Sequence, residues 1–250
     1  MPQFYLPGPW ETQKPTTLNP EVAHHLRVRR IEPGKAFPVF DGRGQVASAK
    51  LLSLGKKTGE VELSAIRTDI HRETPYAITL AQALAGGDKM DWIVEKAVET
   101  GAQKIIPLQC ERSVIKLNRT SDAERAQKRL AHWQGIIQAA CEQCDRTVLA
   151  DLEHIQNFEE FLQSPATSLK LLLSPDATVS MVSVLSKMPP QDVILLIGPE
   201  GGHSPEEEAL AQAAGYQKVS LGERVLRTET AGIVAITAVN TVWSLGLLKA

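Results

Sequence analysis

Val193-Ile194-Leu195-Leu196-Ile197-Gly198-Pro199-Glu200-Gly201-Gly202-His203 is an apolar run that stops abruptly in a loop almost without side chains. An unbroken stretch of branched and long apolar residues reads as a strand covered on both faces, the kind found in parallel sheets. The loop packs three glycines and a proline into residues 198–202, so its N–H and C=O groups stand open to a ligand. A turn used only for chain reversal would have the same composition, and both readings stay open at this point. The loop leads into a helix in which Ser204 can cap, Pro205 suits the first position, Glu207 sits at the capping-box position and Gly215 stops the turn.

A second run of the same design lies downstream: Leu221-Gly222-Glu223-Arg224-Val225-Leu226-Arg227-Thr228-Glu229-Thr230-Ala231. It follows a strand over Lys218–Leu221 and precedes an almost wholly apolar helix over Thr230–Leu247. Arg224, Arg227, Glu229 and Thr230 are therefore held between a strand and a buried helix, which suits a site better than a solvated face. Leu172-Leu173-Ser174-Pro175 ends another strand and offers a third wall, though alone it is just a loop. Neither glycine run matches G-x-G-x-x-G or a phosphate loop, and Glu206-Glu207-Glu208 would repel phosphate.

Working outward, strands alternate with helices from Tyr76 on. Strands are expected over Ile78–Leu84, Lys104–Leu108, Thr147–Leu149, Leu169–Leu173 and Val193–Ile197. A helix opens at Asp88 with Ile93, Val94, Ala97 and Val98 on one face and stops at Gly101; another runs from Asp122 to Cys144. This alternation predicts an α/β domain with a mainly parallel sheet covered on both faces. Before it, Ala36–Phe40, Gln45–Leu54 and Glu60–Ile66 read as a strand meander that would close into a small β-barrel. The polar stretch ending at Pro75 puts the boundary between residues 1–72 and 73–250.

Composition bounds the rest. The 250 residues are 43% hydrophobic and 22% charged, ordinary for a globular protein. No apolar run approaches the ~20 residues of a membrane span, and Met1–Trp10 lacks the pattern of a secretory leader. Three cysteines fit a reducing, cytoplasmic setting. The formal net charge of −2 excludes a generally basic coat, yet residues 1–74 carry 11 Lys and Arg against 8 Asp and Glu. His24, His25, Arg27, Arg29 and Arg30 form a basic cluster there. Cys141-Glu142-Gln143-Cys144 lies deep in a helix without a second ligand pair, so it reads as structural, and no metal is expected.

The two loops resemble those of the small-subunit (16S) ribosomal RNA uridine N3-methyltransferases, of the SPOUT trefoil-knot superfamily. Lys89 with Trp92-Ile93-Val94-Glu95-Lys96-Ala97, Glu111-Arg112-Ser113, Glu142-Gln143 with Arg146, and upstream His24, Arg27, Val28 and Arg30 with Phe40-Asp41-Gly42 extend the resemblance over nearly the whole chain. The family usually has Gly where Asp145 stands. The resemblance implies an N-terminal PUA-like β-barrel that binds RNA, a knotted C-terminal domain, S-adenosylmethionine as methyl donor, and a homodimer. It implies a cofactor cradle of Leu172, Leu173, Ser174, Ile197, Gly198, Pro199, Glu200, Gly201, Gly202, Leu221, Gly222, Val225, Leu226 and Arg227. Arg227 is expected to steady the uracil anion, with Glu229 or Glu200 as base or orienting group. RNA contacts are expected at Arg27, Arg30, Arg43, Lys89, Arg112 and Lys116, with Arg119 a further candidate. A non-catalytic ribosome-assembly factor, or a related enzyme acting on tRNA or ribose 2′-OH, stays open as an alternative.

Overall fold

The computed structural model describes residues 3–12, 14–116, 122–164 and 167–247, with side-chain surroundings to residue 244; Arg119 lies outside the described residues. The chain divides into two units: Met1–Glu73 with Gln138–Leu149, and Thr74–Ile137 with Ala150–Ala250.

In the first unit, five strands pair in the order β1 (Phe4–Tyr5), β3 (Ala36–Phe40), β4 (Gln45–Leu54), β5 (Gly59–Thr68) and β2 (Pro15–Leu18). The period of two is visible in burial: Phe37 and Val39, Ala47, Ala49 and Leu51, and Val61 and Leu63 all face one core. Helix α1 (Pro20–Val28) closes that core with Val22, Ala23 and Leu26. Asn19 caps it by accepting the Val22 amide at 2.8 Å, and Pro20 occupies its first turn. His24, His25 and Arg27 thus ride on an anchored helix, and Arg29 and Arg30 follow its end. Thr147–Leu149 does not form the expected strand. Val148 instead bridges to Gly42 and Arg43, and the Leu149 amide donates to Gly42 O.

Arg146 lies buried in this unit, its Nε and a terminal nitrogen donating to the two Glu73 oxygens at 3.0 and 2.7 Å. Asp145 has φ of +62°, the left-handed region. Aspartate tolerates that conformation better than most residues, and it is where the resembling family uses glycine.

In the second unit, β6 (Ile78–Ala83), β7 (Lys104–Gln109), β8 (Asp151–Leu152), β10 (Leu169–Leu173), β11 (Val193–Ile197) and β12 (Gln217–Val219) form a parallel sheet. Their order is β12-β10-β11-β6-β7-β8, with β9 (Gln156–Asn157) also on β7. Helices α2 (Lys89–Glu99), α3 (Ala123–Cys144), α4 (Phe158–Gln163), α5 (Met181–Leu185), α6 (Pro205–Ala213) and α7 (Thr228–Leu247) accompany it. All five residues of β11 are buried, as a strand at the middle of a covered parallel sheet requires. α7 packs on α2, α5, β6 and β11. Its Gly232 allows this closeness, because a Cβ there would sit 3.3 Å from Leu80 Cδ1. Because β10, β11 and β12 run the same way, the loops after Leu173, Ile197 and Val219 emerge along one edge. In open α/β sheets that carboxyl edge is where ligands bind.

Candidate active site at the carboxyl edge of the sheet

Those loops enclose a cavity of about 560 Å³. Its wall includes Leu173, Ser174, Ile197, Gly198, Pro199, Glu200, Gly201, Gly202, Leu221, Gly222, Val225, Leu226, Arg227 and Glu229, together with Lys89 and Arg112. Leu172 is not on the wall. It is fully buried, because its neighbour Leu173 takes the end of the strand and period-two alternation turns Leu172 into the core.

The glycine loop is held by its own backbone and by three side chains. A Cβ on Gly198 would lie 3.0 Å from the His203 amide nitrogen and 3.2 Å from the Gly202 carbonyl carbon, so only glycine fits there. The carbonyl of Gly198 accepts a bond of 2.6 Å from the Thr228 hydroxyl. That oxygen accepts in turn from Gln82 Nε2 at 2.9 Å, and Gln82 is wholly buried. Arg112 donates to the carbonyls of Gly201 at 3.0 Å and His203 at 3.3 Å. At the helix end, Ser204 and Glu207 form the reciprocal capping box.

The charged groups divide into two sets. Glu200 Oε1 accepts from the Gly86 amide and from Lys89 Nζ, both at 2.9 Å. Burial alone would raise its pKa; the amide and the ammonium outweigh burial and leave it lowered. Lys89 Nζ also lies 3.9 Å from Glu229 Oε2, a buried oxygen without a hydrogen-bond partner among the described residues. Arg227 is 84% exposed with one nitrogen 3.9 Å from Glu229 Oε1, so its guanidinium is free to meet a substrate. Ser174 Oγ is another buried wall atom without a partner among the described residues. A wall of open main chain, an orphaned hydroxyl and apolar Leu221, Val225 and Leu226 suits a ligand with a polar heterocycle and a flexible tail.

This chain matches the family described as RNA methyltransferase domain over residues 72–240 and that described as RNA methyltransferase PUA domain over residues 18–64. The ribosomal RNA small subunit methyltransferase E of Bacillus subtilis is 33% identical over 229 residues, 88% of this chain and 87% of that protein. The chain belongs to the ribosomal RNA small subunit methyltransferase E family. A crystal structure of the family member from Neisseria gonorrhoeae bound to S-adenosyl methionine superposes with a TM-score of 0.88 at 36% identity, covering 97% of this chain and 98% of that one. A methyltransferase from Legionella pneumophila in complex with the same cofactor gives 0.89 at 34% identity, covering 96% of each. The α/β fold with a PUA domain in front is that of this methyltransferase E family.

The residues expected to touch RNA are used in several ways. Lys89 and Arg112 belong to the cavity wall, where both already hold loop atoms. Lys116 Nζ donates to the carbonyls of Cys110, at 3.2 Å, and Glu111. Arg27 donates to the Gly55 carbonyl at 2.9 Å and to that of Lys56, pinning the turn between β4 and β5. Arg30 and Arg43 are exposed. Sequence reasoning missed Gln82, Thr228, Gly86 and His203. Thr228 stood inside the quoted motif, but nothing in it pairs a hydroxyl with a glutamine 146 residues away.

Proposed function

We propose that this chain uses S-adenosylmethionine to methylate N3 of a uridine in 16S ribosomal RNA. The observation that carries the reading is one cavity where main chain from three strand ends converges beside an exposed arginine and a buried carboxylate oxygen without a hydrogen-bond partner among the described residues. Relatives above 30% identity over about nine-tenths of the chain are named ribosomal RNA small subunit methyltransferase E, and two similar structures hold the cofactor.

When bound, the cofactor supplies an electrophilic methyl group on a sulfonium centre. Gly198–Gly202, Leu221-Gly222 and Leu173-Ser174 would hold it through main-chain groups and the Ser174 hydroxyl, with Val225 and Leu226 against its faces. Neutral uracil N3 offers no lone pair, so the chain must take up its proton and steady the resulting anion. Glu229 Oε2, with no hydrogen bond among the described residues, is the proposed proton acceptor. Glu200, engaged by Gly86 and Lys89, serves as the group that orients Lys89. Arg227 neutralises charge on the uracil oxygens through forked, permanently cationic donors. Because N3 is occupied in a base pair, the uridine must be unpaired or turned out of its helix.

Exposed Arg30 and Arg43 are the proposed RNA contacts of the first unit, with Arg27 shaping the surface beside them. The working form is proposed to be a homodimer, with Val182 and Val234 exposed on the packed helices α5 and α7, and its compartment the cytoplasm, where free cysteines such as Cys110, Cys141 and Cys144 persist. Arg227→Ala tests the assignment. Methyl transfer to small-subunit RNA should fall by roughly a hundredfold or more with cofactor affinity nearly unchanged; undiminished turnover would remove Arg227 from its role.

A further inference from the structure

Behind the glycine loop lies a buried cluster that the methyl-transfer reading does not use. Cys110 follows β7, His203 ends the loop, and Glu207 sits in the first turn of α6. Their sulfur, one ring nitrogen and one carboxylate oxygen all lie within 4.8 Å of one another, and all three residues are buried. The His203 side chain is 1% exposed, with Nδ1 3.4 Å from Glu207 Oε2. Nε2 has no hydrogen-bond partner among the described residues, and Nδ1 has none there beyond the Glu207 carboxylate beside it. A polar ring buried in this way is costly unless something else bonds to it.

Packing fixes the ring in place, with its centroid 5.2 Å from that of Phe158. Backbone amides fix the carboxylate. Glu111 N donates to Oε1 at 2.7 Å and Ser204 N to Oε2 at 3.0 Å, and each oxygen keeps a further acceptor direction. Such oriented carboxylates are what outer hydrogen bonds produce around metal ligands.

We propose that Cys110, His203 and Glu207 bind a zinc ion. A thiolate, an imidazole and a carboxylate together suit this borderline-soft cation, whereas calcium and magnesium prefer oxygen alone. Zinc bonds of about 2.0–2.3 Å set tetrahedral ligand atoms roughly 3.3–3.8 Å apart; Nδ1 and Oε2 already stand 3.4 Å apart, so binding draws in the Cys110 sulfur by up to about an ångström. Three protein ligands leave the fourth position to water. On binding, the Cys110 S–H bond breaks, its proton leaves to solvent, and the sulfur lone pair bonds to zinc. Without metal, burial and then Glu207 push this thiol up from the usual range, so the free site holds a neutral thiol. His203 also lines the cofactor cavity. The ion would therefore tie the end of the glycine loop to β7 and α6 and stiffen one wall of that cavity.

The test uses the full chain stripped by a chelator and dialysed, then titrated with zinc chloride by calorimetry, and separately with cobalt chloride under an absorption spectrometer. Wild type should take up one zinc per chain and show the thiolate-to-cobalt charge-transfer band. Cys110→Ser should lose the band, and both it and His203→Phe should lose roughly a hundredfold or more in zinc affinity. Phenylalanine keeps the packing on Phe158, so His203→Phe should retain the wild-type circular dichroism even if Cys110→Ser folds poorly. Less than one zinc per chain, no charge-transfer band, or equal affinity in wild type and His203→Phe would overturn the site.

Discussion

Thr228→Val removes one oxygen and keeps the shape. In the native protein that oxygen donates to the Gly198 carbonyl at 2.6 Å and accepts from Gln82 Nε2 at 2.9 Å. Gln82 is fully buried, and its Nε2 would keep only the Ala83 carbonyl at 3.0 Å. Losing a partner at a buried amide costs about 1–3 kcal/mol, and losing the bond at the half-exposed Gly198 costs about 0.5–1.5 kcal/mol. The extra buried methyl returns about 0.8 kcal/mol. The net expectation is about 0.7–3.7 kcal/mol of destabilisation. Urea unfolding followed by tryptophan fluorescence reads it directly, since Trp92, Trp133 and Trp243 all belong to the α/β unit. Because Gly198 begins the loop proposed to hold the cofactor, calorimetry should also show S-adenosylmethionine affinity reduced by about tenfold. Thr228→Ser keeps the hydroxyl and should retain most of both. A valine variant within about 0.5 kcal/mol of wild type, or a serine variant as damaged as valine, would refute the reasoning.

Gly198→Ala places a methyl 3.0 Å from the backbone nitrogen of His203, which cannot swing aside; a cost of about 1–3 kcal/mol and a marked loss of cofactor binding are expected, and unaltered binding would count against the cradle. Glu73→Ala removes the carboxylate paired with the buried Arg146 guanidinium, 4% exposed, and should cost about 3–5 kcal/mol in urea unfolding; near-neutrality would mean that this pair contributes little to stability. Glu200, held below its ordinary 4.5 despite partial burial, binds fewer protons folded than unfolded. Its contribution is therefore full above pH 4.5 and is lost as pH falls through the lowered value. Glu200→Gln should flatten the acid limb of the stability curve, and an unchanged limb would remove the Lys89 and Gly86 contacts from the account.

The strands most legible in the chain were those with unbroken apolar runs. Leu169–Leu173 and Val193–Ile197 fall where the sequence places them, because a fully buried parallel strand has no alternative partner for its side chains. The Ser204 capping box was equally readable, since every group in it is local. Thr147–Leu149 looked like a strand by composition, yet pairing is decided by what lies alongside, and Gly42 and Arg43 claimed Val148. The site divides in the same way. Both glycine loops announce themselves, whereas Gln82, Thr228 and the grouping of Cys110 with His203 and Glu207 depend on residues far apart in the chain. The sequence reading expected no metal because Cys141-Glu142-Gln143-Cys144 lies in a helix without a second ligand pair. His203 and Glu207 are four apart, but their sulfur neighbour enters from β7. Charge was the least legible property. Lys89 and Arg112, expected as RNA contacts, also hold the cavity's own loops, which nothing in their local sequence announces.

The most direct measurement is transfer of labelled methyl from S-adenosylmethionine to small-subunit ribosomal RNA, followed by digestion and mass analysis of the labelled nucleoside. The account predicts label in 3-methyluridine at a single position, lost with Arg227→Ala. Label in a ribose-methylated nucleoside, in transfer RNA alone, or in nothing at all from folded protein would contradict it.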